Sequence, residues 1–248
     1  MPLDPLDTPC GLLGMNGFGA NGVKVRIFLD TANRDMIKKW VPTGIIDGVT
    51  TNPSLLSKEG TSTHDTSPKE VLLDICKMVD GDVSIEVVKK DPKEVYTQAK
   101  EIAALANNVV VKIPFSFEYL PVIKKLTQEG VRINVTLIFS LLQALLVAKL
   151  DVAYISPFIG RWDDIDINGI ELISKLVHMT RQHGFTSQIL AASIRHVMHF
   201  HEAVLIGADV ATVPPGLLDQ IMRHPLTEKG IKKFDDDWKK LGKDELLS

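Results

Sequence analysis

NNVVVKIPFS, residues 107–116, is where the fold can be read first. Between Val109 and Ile113 every residue but one is β-branched and apolar, so both alternating faces of the segment are greasy. That is the pattern of a strand covered on both sides, as in a parallel sheet flanked by helices. The exception is Lys112, and the run stops at Pro114. Lysine is among the residues least often fully buried, because a dry, unpaired ammonium is costly or gives up its proton. A lysine in such a strand needs either a partner or a purpose.

Outward from this strand the chain alternates. DPKEVYTQAKEIAALA (91–106) upstream and LPVIKKLTQEG (120–130) downstream have helical spacing, and the latter ends in Gly after a charged last turn. The next β-rich run is VRINVTL (131–137). The same alternation continues both ways, through VRIFLD, DGVTT and VSIEVV before it and AYISPF, SQILAA and DVATVP after it, with SPKEVLLDICKMVD and GIELISKLVHMTRQHG as further helical stretches. Eight β-rich runs separated by helices predict an α/β protein, a single (β/α)8 TIM barrel over residues 24–248; an open doubly wound sheet is the alternative. EGTSTHDTSPKE (59–70) reads as a loop leading to a helix, with Ser67 as N-cap and Pro68 at the first helical position. LTEKGIKKFDDDWKK (226–240) reads as an additional C-terminal amphipathic helix with Ile231, Phe234 and Trp238 on one face, expected to pack on the barrel wall or on a neighbouring subunit. The Pro- and Gly-rich residues 1–23 read as a flexible extension outside the fold.

The chain has 248 residues, 45% hydrophobic and 24% charged, which is enough for a full core. A net charge of -3 and a pI near 6.2 give no electrostatic case for nucleic acid or an anionic membrane surface as partner. A small anionic substrate stays compatible, since local charge can oppose the total. The two cysteines, Cys10 and Cys76, argue against a disulfide framework and fit a reducing, cytoplasmic location. No apolar stretch approaches the roughly 18–20 residues that cross a bilayer, and the start lacks the basic and apolar regions of a secretory signal.

In a barrel the chemistry sits at the C-terminal ends of the strands. The polar residues expected there are Asp30, Thr51, Asn52, Glu86, Lys112, Asn134, Thr136, Ser156, Ser193 and Arg195. Residues two apart in an extended segment share a face, so Asn134 with Thr136, Ser156 with Phe158, and Ser193 with Arg195 can each point into the mouth together.

Lys112 admits two readings. It is either ion-paired or snorkelling to the rim, or it is a nucleophile: desolvation favours the neutral amine, whose lone pair can attack a carbonyl and form a Schiff base. Glu86 and Asp30 are either strand-end carboxylates that pair or cap, or a proton-transfer set around that lysine. Arg161 in SPFIGR and Arg195 in SIR each accompany a serine after a late strand, a common way for barrels to hold phosphate. His196 and His199 in RHVMHFH are three apart, which invites a metal, but no Cys or HExxH pattern accompanies them; solvated helix histidines are the commoner explanation. No metal site and no cofactor are assigned.

The motifs FLDTAN, GVTTNPSLL, VVVKIP, NVTLIFS, SPFIGR, AASIR and GADVATVP, in this order and with Glu86 between, resemble the transaldolase family, specifically the short group that includes fructose-6-phosphate aldolases. The similarity runs from about Lys24 to Trp238. It implies a barrel of the class I aldolase type that acts on sugar phosphates without a cofactor. It also implies that Lys112 is the Schiff-base lysine, which attacks the ketone of a ketose phosphate and retains a dihydroxyacetone unit after carbon–carbon cleavage. By the same resemblance Asp30 is the acid/base for the hydroxyl whose collapse breaks the bond, and Glu86 and Thr136 hold a proton-shuttling water. Asn52 and Asn134 would bind hydroxyls of the three-carbon unit, with Thr51 and Phe158 in the substrate-binding set; Arg161, Arg195, Ser156 and Ser193 would hold the phosphate and adjacent hydroxyls. Small members of the family form rings of five or ten subunits, so a homo-oligomer is expected.

The family's two activities differ in the fate of the three-carbon unit: transfer to a sugar aldehyde, or release as free dihydroxyacetone. The free aldolase resembles this chain but has Gln in place of Glu86 and Tyr in place of Phe158. A tyrosine can help protonate the fragment, whereas phenylalanine has no proton to give. Glu86 with Phe158 therefore points to a transaldolase of the pentose phosphate pathway. The chain departs from the usual pattern at Val197, at DIDING (164–169) and at Gly216, none of them a proposed catalytic group.

Overall fold

Eight parallel strands close on themselves in the computed structural model, which describes residues 24–62 and 67–241. β1 (Arg26–Asp30), β2 (Gly48–Thr50), β3 (Asp82–Glu86), β4 (Val109–Pro114), β5 (Ile133–Ile138), β6 (Tyr154–Pro157), β7 (Gln188–Ala191) and β8 (Val210–Val213) each pair with the next in sequence. β8 returns to β1, with Phe28 opposite Thr212, so the open-sheet alternative does not hold. The eight β-rich runs of the sequence are these strands.

Side-chain alternation divides the barrel into an inside and an outside. Phe28, Val110, Tyr154, Leu190 and Val210 form a separate inner cluster, while their neighbours Leu29, Val111, Ile155, Ile189 and Ala211 belong to the larger core beneath the helices. Gly48 makes room for this interior, because a Cβ there would come within 2.7 Å of the Phe28 ring and 2.6 Å of the Asp82 carbonyl. The N-terminal end of the barrel is closed by polar groups from the first residues of several strands. Arg132 donates to both carboxylate oxygens of Asp82, the Tyr154 hydroxyl donates to Asp82, and Arg26 donates to the Tyr154 oxygen at 2.8 Å. Burial and the bond to Asp82 push the Tyr154 phenol up to about 12.

The helices Pro68–Met78, Pro92–Ala103, Leu120–Gln128 and Ile170–Gln182 occupy the segments with helical spacing. Ser67 closes a capping box, its Oγ accepting from Glu70 N at 3.2 Å while Glu70 Oε2 accepts from Ser67 N at 2.9 Å. The stretch 59–70 needs one correction: its first residues complete the helix Pro53–Ser62 rather than a loop. The reason is local, since Glu59 is buried and engages the Arg34 guanidinium at 3.5 Å and Asn33 Nδ2 at 3.1 Å. Of the two packings expected for the C-terminal helix, Pro225–Lys240, the one on its own barrel wall does not occur: none of its residues is buried. The extension expected at residues 1–23, with Cys10, lies outside the described residues. Among the described residues no helix is long and apolar enough to cross a membrane.

Candidate active site

Parallel pairing sets Glu86, Lys112 and Asn134 side by side on β3, β4 and β5, so the three point the same way into the C-terminal mouth. Lys112 is 4% exposed, which rules out snorkelling to the rim. Its Nζ donates to the Thr51 carbonyl at 2.6 Å and lies 3.1 Å from Glu86 Oε2. The amine thus has an ion-pair partner, yet it still forms part of the pocket floor. Asp30, at the end of β1, accepts from Thr50 Oγ1 at 3.0 Å, and Thr50 is in turn bonded to Thr212. Burial pushes the Asp30 carboxyl above its usual range, partly offset by the Lys112 charge and the Thr50 bond. A carboxyl that holds its proton more tightly than usual is a better general base once ionised and can return the proton it takes.

On the neighbouring wall Ser156 Oγ donates to Asn134 Oδ1 at 2.7 Å, and Asn134 Nδ2 donates to Ser84 Oγ at 3.1 Å. This chain fixes which end of the Asn134 amide faces the pocket. One residue further, β5 is irregular: its register to β6 shifts between Val135 and Ile138, and Leu137 adopts φ 59. Such bulges re-aim side chains next to active sites. Thr136 lies just before Leu137, still in register with Pro114 and on the same face as Asn134; it lines the pocket, and its buried Oγ1 has no hydrogen-bond partner among the described residues. A buried hydroxyl of this kind is costly unless something entering the pocket bonds it.

The rim is built by two loops. After β6, Phe158 presents its ring to the pocket, edge-on to Phe139 at 6.2 Å, and the short helix Ile159–Asp163 carries Arg161. After β7, Ser193 holds a left-handed backbone, φ 60, and Arg195 follows. Gly160 lets these loops meet, since a Cβ there would lie 2.4 Å from the Ser193 carbonyl and 2.7 Å from Arg195 Nε. Arg195 grips both oxygens of Asp164, which holds that carboxyl below the usual range. Asn52 caps the helix Pro53–Ser62, its Oδ1 accepting from Leu55 N at 2.9 Å.

The enclosed space is about 200 Å³. Asp30, Asn52, Lys112, Asn134, Thr136, Ser156, Phe158, Arg161, Ser193 and Arg195 all line it. Glu86 is not among the lining residues and meets the site through its contact with the Lys112 amine. Thr51 is the misplaced residue: it turns away from the mouth, and its hydroxyl donates to the Ser84 carbonyl at 2.9 Å, so that only its own carbonyl reaches Lys112. The threonine that faces the pocket is Thr50, together with Thr212, and the sequence reading missed both. Alternation from Asp30, opposite Thr50, and from the inward Val210, two before Thr212, is the signal that finds them.

Asp163, His196 and His199 bring three ligand-type atoms within 4.8 Å of one another, the strongest metal-like grouping among the described residues. The hydrogen bonds oppose that use. His196 Nδ1 accepts from His199 N at 3.2 Å, and His199 Nδ1 accepts from Arg195 N at 3.3 Å. A neutral imidazole accepting at Nδ1 carries its proton on Nε2, which for His199 is the atom bonded to Asp163. A metal-bound histidine has the reverse pattern, donating from its other nitrogen.

The model of the family described as Transaldolase/Fructose-6-phosphate aldolase matches residues 27–245. A probable transaldolase of Dehalococcoides mccartyi is 50% identical over 220 residues, 88% of this chain and 100% of that one. Probable transaldolases of Thermodesulfovibrio yellowstonii and Methanococcus maripaludis are each 46% identical, over 219 and 214 residues, covering 88% and 86% of this chain and 100% and 97% of theirs. Among solved structures, an inosine 5'-monophosphate dehydrogenase from Legionella pneumophila superposes with a TM-score of 0.53 at 12% identity, over 77% of this chain and 58% of that one, a likeness of fold alone.

Proposed function

This chain belongs to the transaldolase/fructose-6-phosphate aldolase family and is an enzyme of the transaldolase type; from that premise we propose that it transfers a dihydroxyacetone unit through a Schiff base on Lys112. The observation that carries the proposal is a buried lysine at the floor of a polar pocket, with one carboxylate 3.1 Å from its amine and a second, Asp30, close enough to feel its charge.

Lys112 Nζ attacks the donor ketone, and the carbinolamine loses water with proton transfers through a water held between Glu86 and the unpartnered Thr136 hydroxyl. Asp30 removes the proton from the hydroxyl whose collapse breaks the carbon–carbon bond, and the aldehyde leaves. The three-carbon enamine stays on Lys112, held by Asn134 in its fixed orientation and by Asn52. An acceptor aldehyde enters, Asp30 returns the proton to the new hydroxyl, and hydrolysis of the imine frees the product and the amine. Arg161 and Arg195, with Ser156 and Ser193, supply the cationic and hydroxyl contacts that a phosphorylated chain end needs.

Transfer is favoured over release of free dihydroxyacetone because Phe158 faces the pocket and has no proton to give the bound fragment. The reaction proposed is that of the pentose phosphate pathway, from sedoheptulose 7-phosphate to glyceraldehyde 3-phosphate, giving erythrose 4-phosphate and fructose 6-phosphate, in the cytoplasm. Residues 24–248 act as one domain within a ring of five or ten copies. The C-terminal helix is the natural contact, since its own barrel leaves Ile231 64% and Phe234 72% exposed. The test is release of glyceraldehyde 3-phosphate from fructose 6-phosphate in EDTA. Release that requires erythrose 4-phosphate supports a metal-free transferase; equal release without it makes the protein an aldolase, and no release in either condition refutes the proposal.

A further inference from the structure

The two guanidinium groups at the pocket come from different loops, so their spacing depends on what ties those loops together. The near edge is tied by backbone: Ile159 N donates to the Ala192 carbonyl at 3.0 Å and Gly160 N to the Ser193 carbonyl at 3.1 Å. The far edge is tied by a side chain. His199 sits in the first turn of the helix Val197–Ile206 with its ring 4% exposed. Its Nδ1 accepts from Arg195 N at 3.3 Å, and its Nε2 bonds Asp163, the last residue of the helix that carries Arg161. The next residue, Asp164, grips the Arg195 guanidinium with both oxygens. These contacts close a circuit from the backbone of Arg195, through the imidazole, to Asp163 and Asp164, and back to the side chain of Arg195.

The circuit works only with a neutral imidazole protonated on Nε2. Burial, reinforced by the charges of His196 and Arg195 and opposed by Asp163, holds the ring below its usual pKa and keeps it in that form. His196 supports the same geometry, its ring tilted by 38° against that of His199 with centroids 3.6 Å apart, and caps its helix.

We propose that His199 is a positioning residue that couples the loops after β6 and β7 and thereby presets Arg161 and Arg195 for a phosphate group. The inference rests on the reading of this pocket as a sugar-phosphate site. Both arginines are exposed, and a long side chain held in place beforehand loses less freedom when it closes on an anion. The consequence belongs to phosphate affinity and not to the chemistry at Lys112, which stands on a different strand.

Competitive inhibition by inorganic phosphate and the KM for fructose 6-phosphate, measured in the wild type, His199→Phe, His199→Gln and Asp163→Ala, test this. Borohydride trapping of unphosphorylated dihydroxyacetone serves as the control. His199→Phe keeps an aromatic ring in the slot, slightly larger than the imidazole, and removes both bonds; it should weaken phosphate inhibition and raise KM on the order of tenfold while trapping stays at the wild-type rate. Asp163→Ala, at an exposed position, should move both quantities the same way, and His199→Gln, which keeps a donor for Asp163, should recover part of the loss. Unchanged phosphate inhibition in His199→Phe and Asp163→Ala overturns the inference, as does an equal loss of dihydroxyacetone trapping, which would make His199 a support of the whole barrel. If phosphate fails to inhibit the wild type while dihydroxyacetone is still trapped, the phosphate reading of the pocket falls and takes this inference with it, leaving the lysine chemistry intact.

Discussion

Replacing Gly160 by alanine is the sharpest probe of how the rim is assembled. Gly160 is not in the left-handed region, so alanine suits its backbone and only space opposes it. The added Cβ would sit 2.4 Å from the Ser193 carbonyl, where ordinary contact begins at 3.4 Å, and 2.7 Å from Arg195 Nε. Arg195 is held at its guanidinium by Asp164, and the carbonyl belongs to a residue at φ 60 that is already bonded to Gly160 N. The loops must therefore part by about 1 Å, and overpacking of this sort costs ~1–3 kcal/mol. For a domain of this size each kcal/mol lowers Tm by roughly 2–4 °C. A misplacement of about 1 Å can reduce activity on the order of a hundredfold; here most of the loss should appear in KM for fructose 6-phosphate, because the displaced groups are Ser193 and Arg195. Steady-state kinetics with a thermal melt, and dihydroxyacetone trapping as control, decide the matter. A variant with lowered Tm and unchanged KM would refute the claim that the apposition of these two loops sets phosphate affinity.

Three further outcomes follow from the charges and rings of the barrel. Asp30→Asn should abolish turnover yet raise Tm at pH 7: a carboxyl raised by burial destabilises the fold, so the gain is absent below the ordinary aspartate pKa of about 4, grows as pH rises from there toward the raised folded value, and levels off above it. Asp82→Asn should cost about 2 kcal/mol of stability with little change in activity. Burial alone would raise the Asp82 carboxyl, but the bonds from Arg132 and Tyr154 and the charges of Arg132 and Arg26 outweigh it, so its contribution is full above the ordinary carboxylate pKa. Urea titrations of both proteins at pH 7 and in acid should show the gap closing as pH falls. Phe158→Tyr should raise the ratio of free dihydroxyacetone to transferred product, and an unchanged ratio would remove the basis for separating transferase from aldolase at this position.

The barrel was legible because its strands are short apolar runs punctuated by capped helices, a pattern that local chemistry produces. The polar strand ends were legible for the same reason, and eight of the ten residues named from them line one pocket. Thr51 was misplaced because β2 is only Gly48–Thr50: three residues are too few for alternation alone to say which of two adjacent threonines faces inward, and pairing with Asp30 decides it. Ser84 and Thr212 were missed because each gains its role from a partner on another strand, Asn134 and Thr50. The helix end at Glu59 was hidden for a similar reason, since Arg34 and Asn33, which hold it, are far away in sequence. His196 and His199 were noticed as a pair three apart, but Asp163, which gives them their setting, lies on another loop.

The most direct measurement is borohydride reduction in the presence of fructose 6-phosphate, followed by peptide mass analysis. The account predicts a reduced dihydroxyacetone adduct on the peptide that contains Lys112, absent in Lys112→Ala, which should also be inactive. An adduct on another lysine, no adduct at all from an active preparation, or full activity in Lys112→Ala would contradict it.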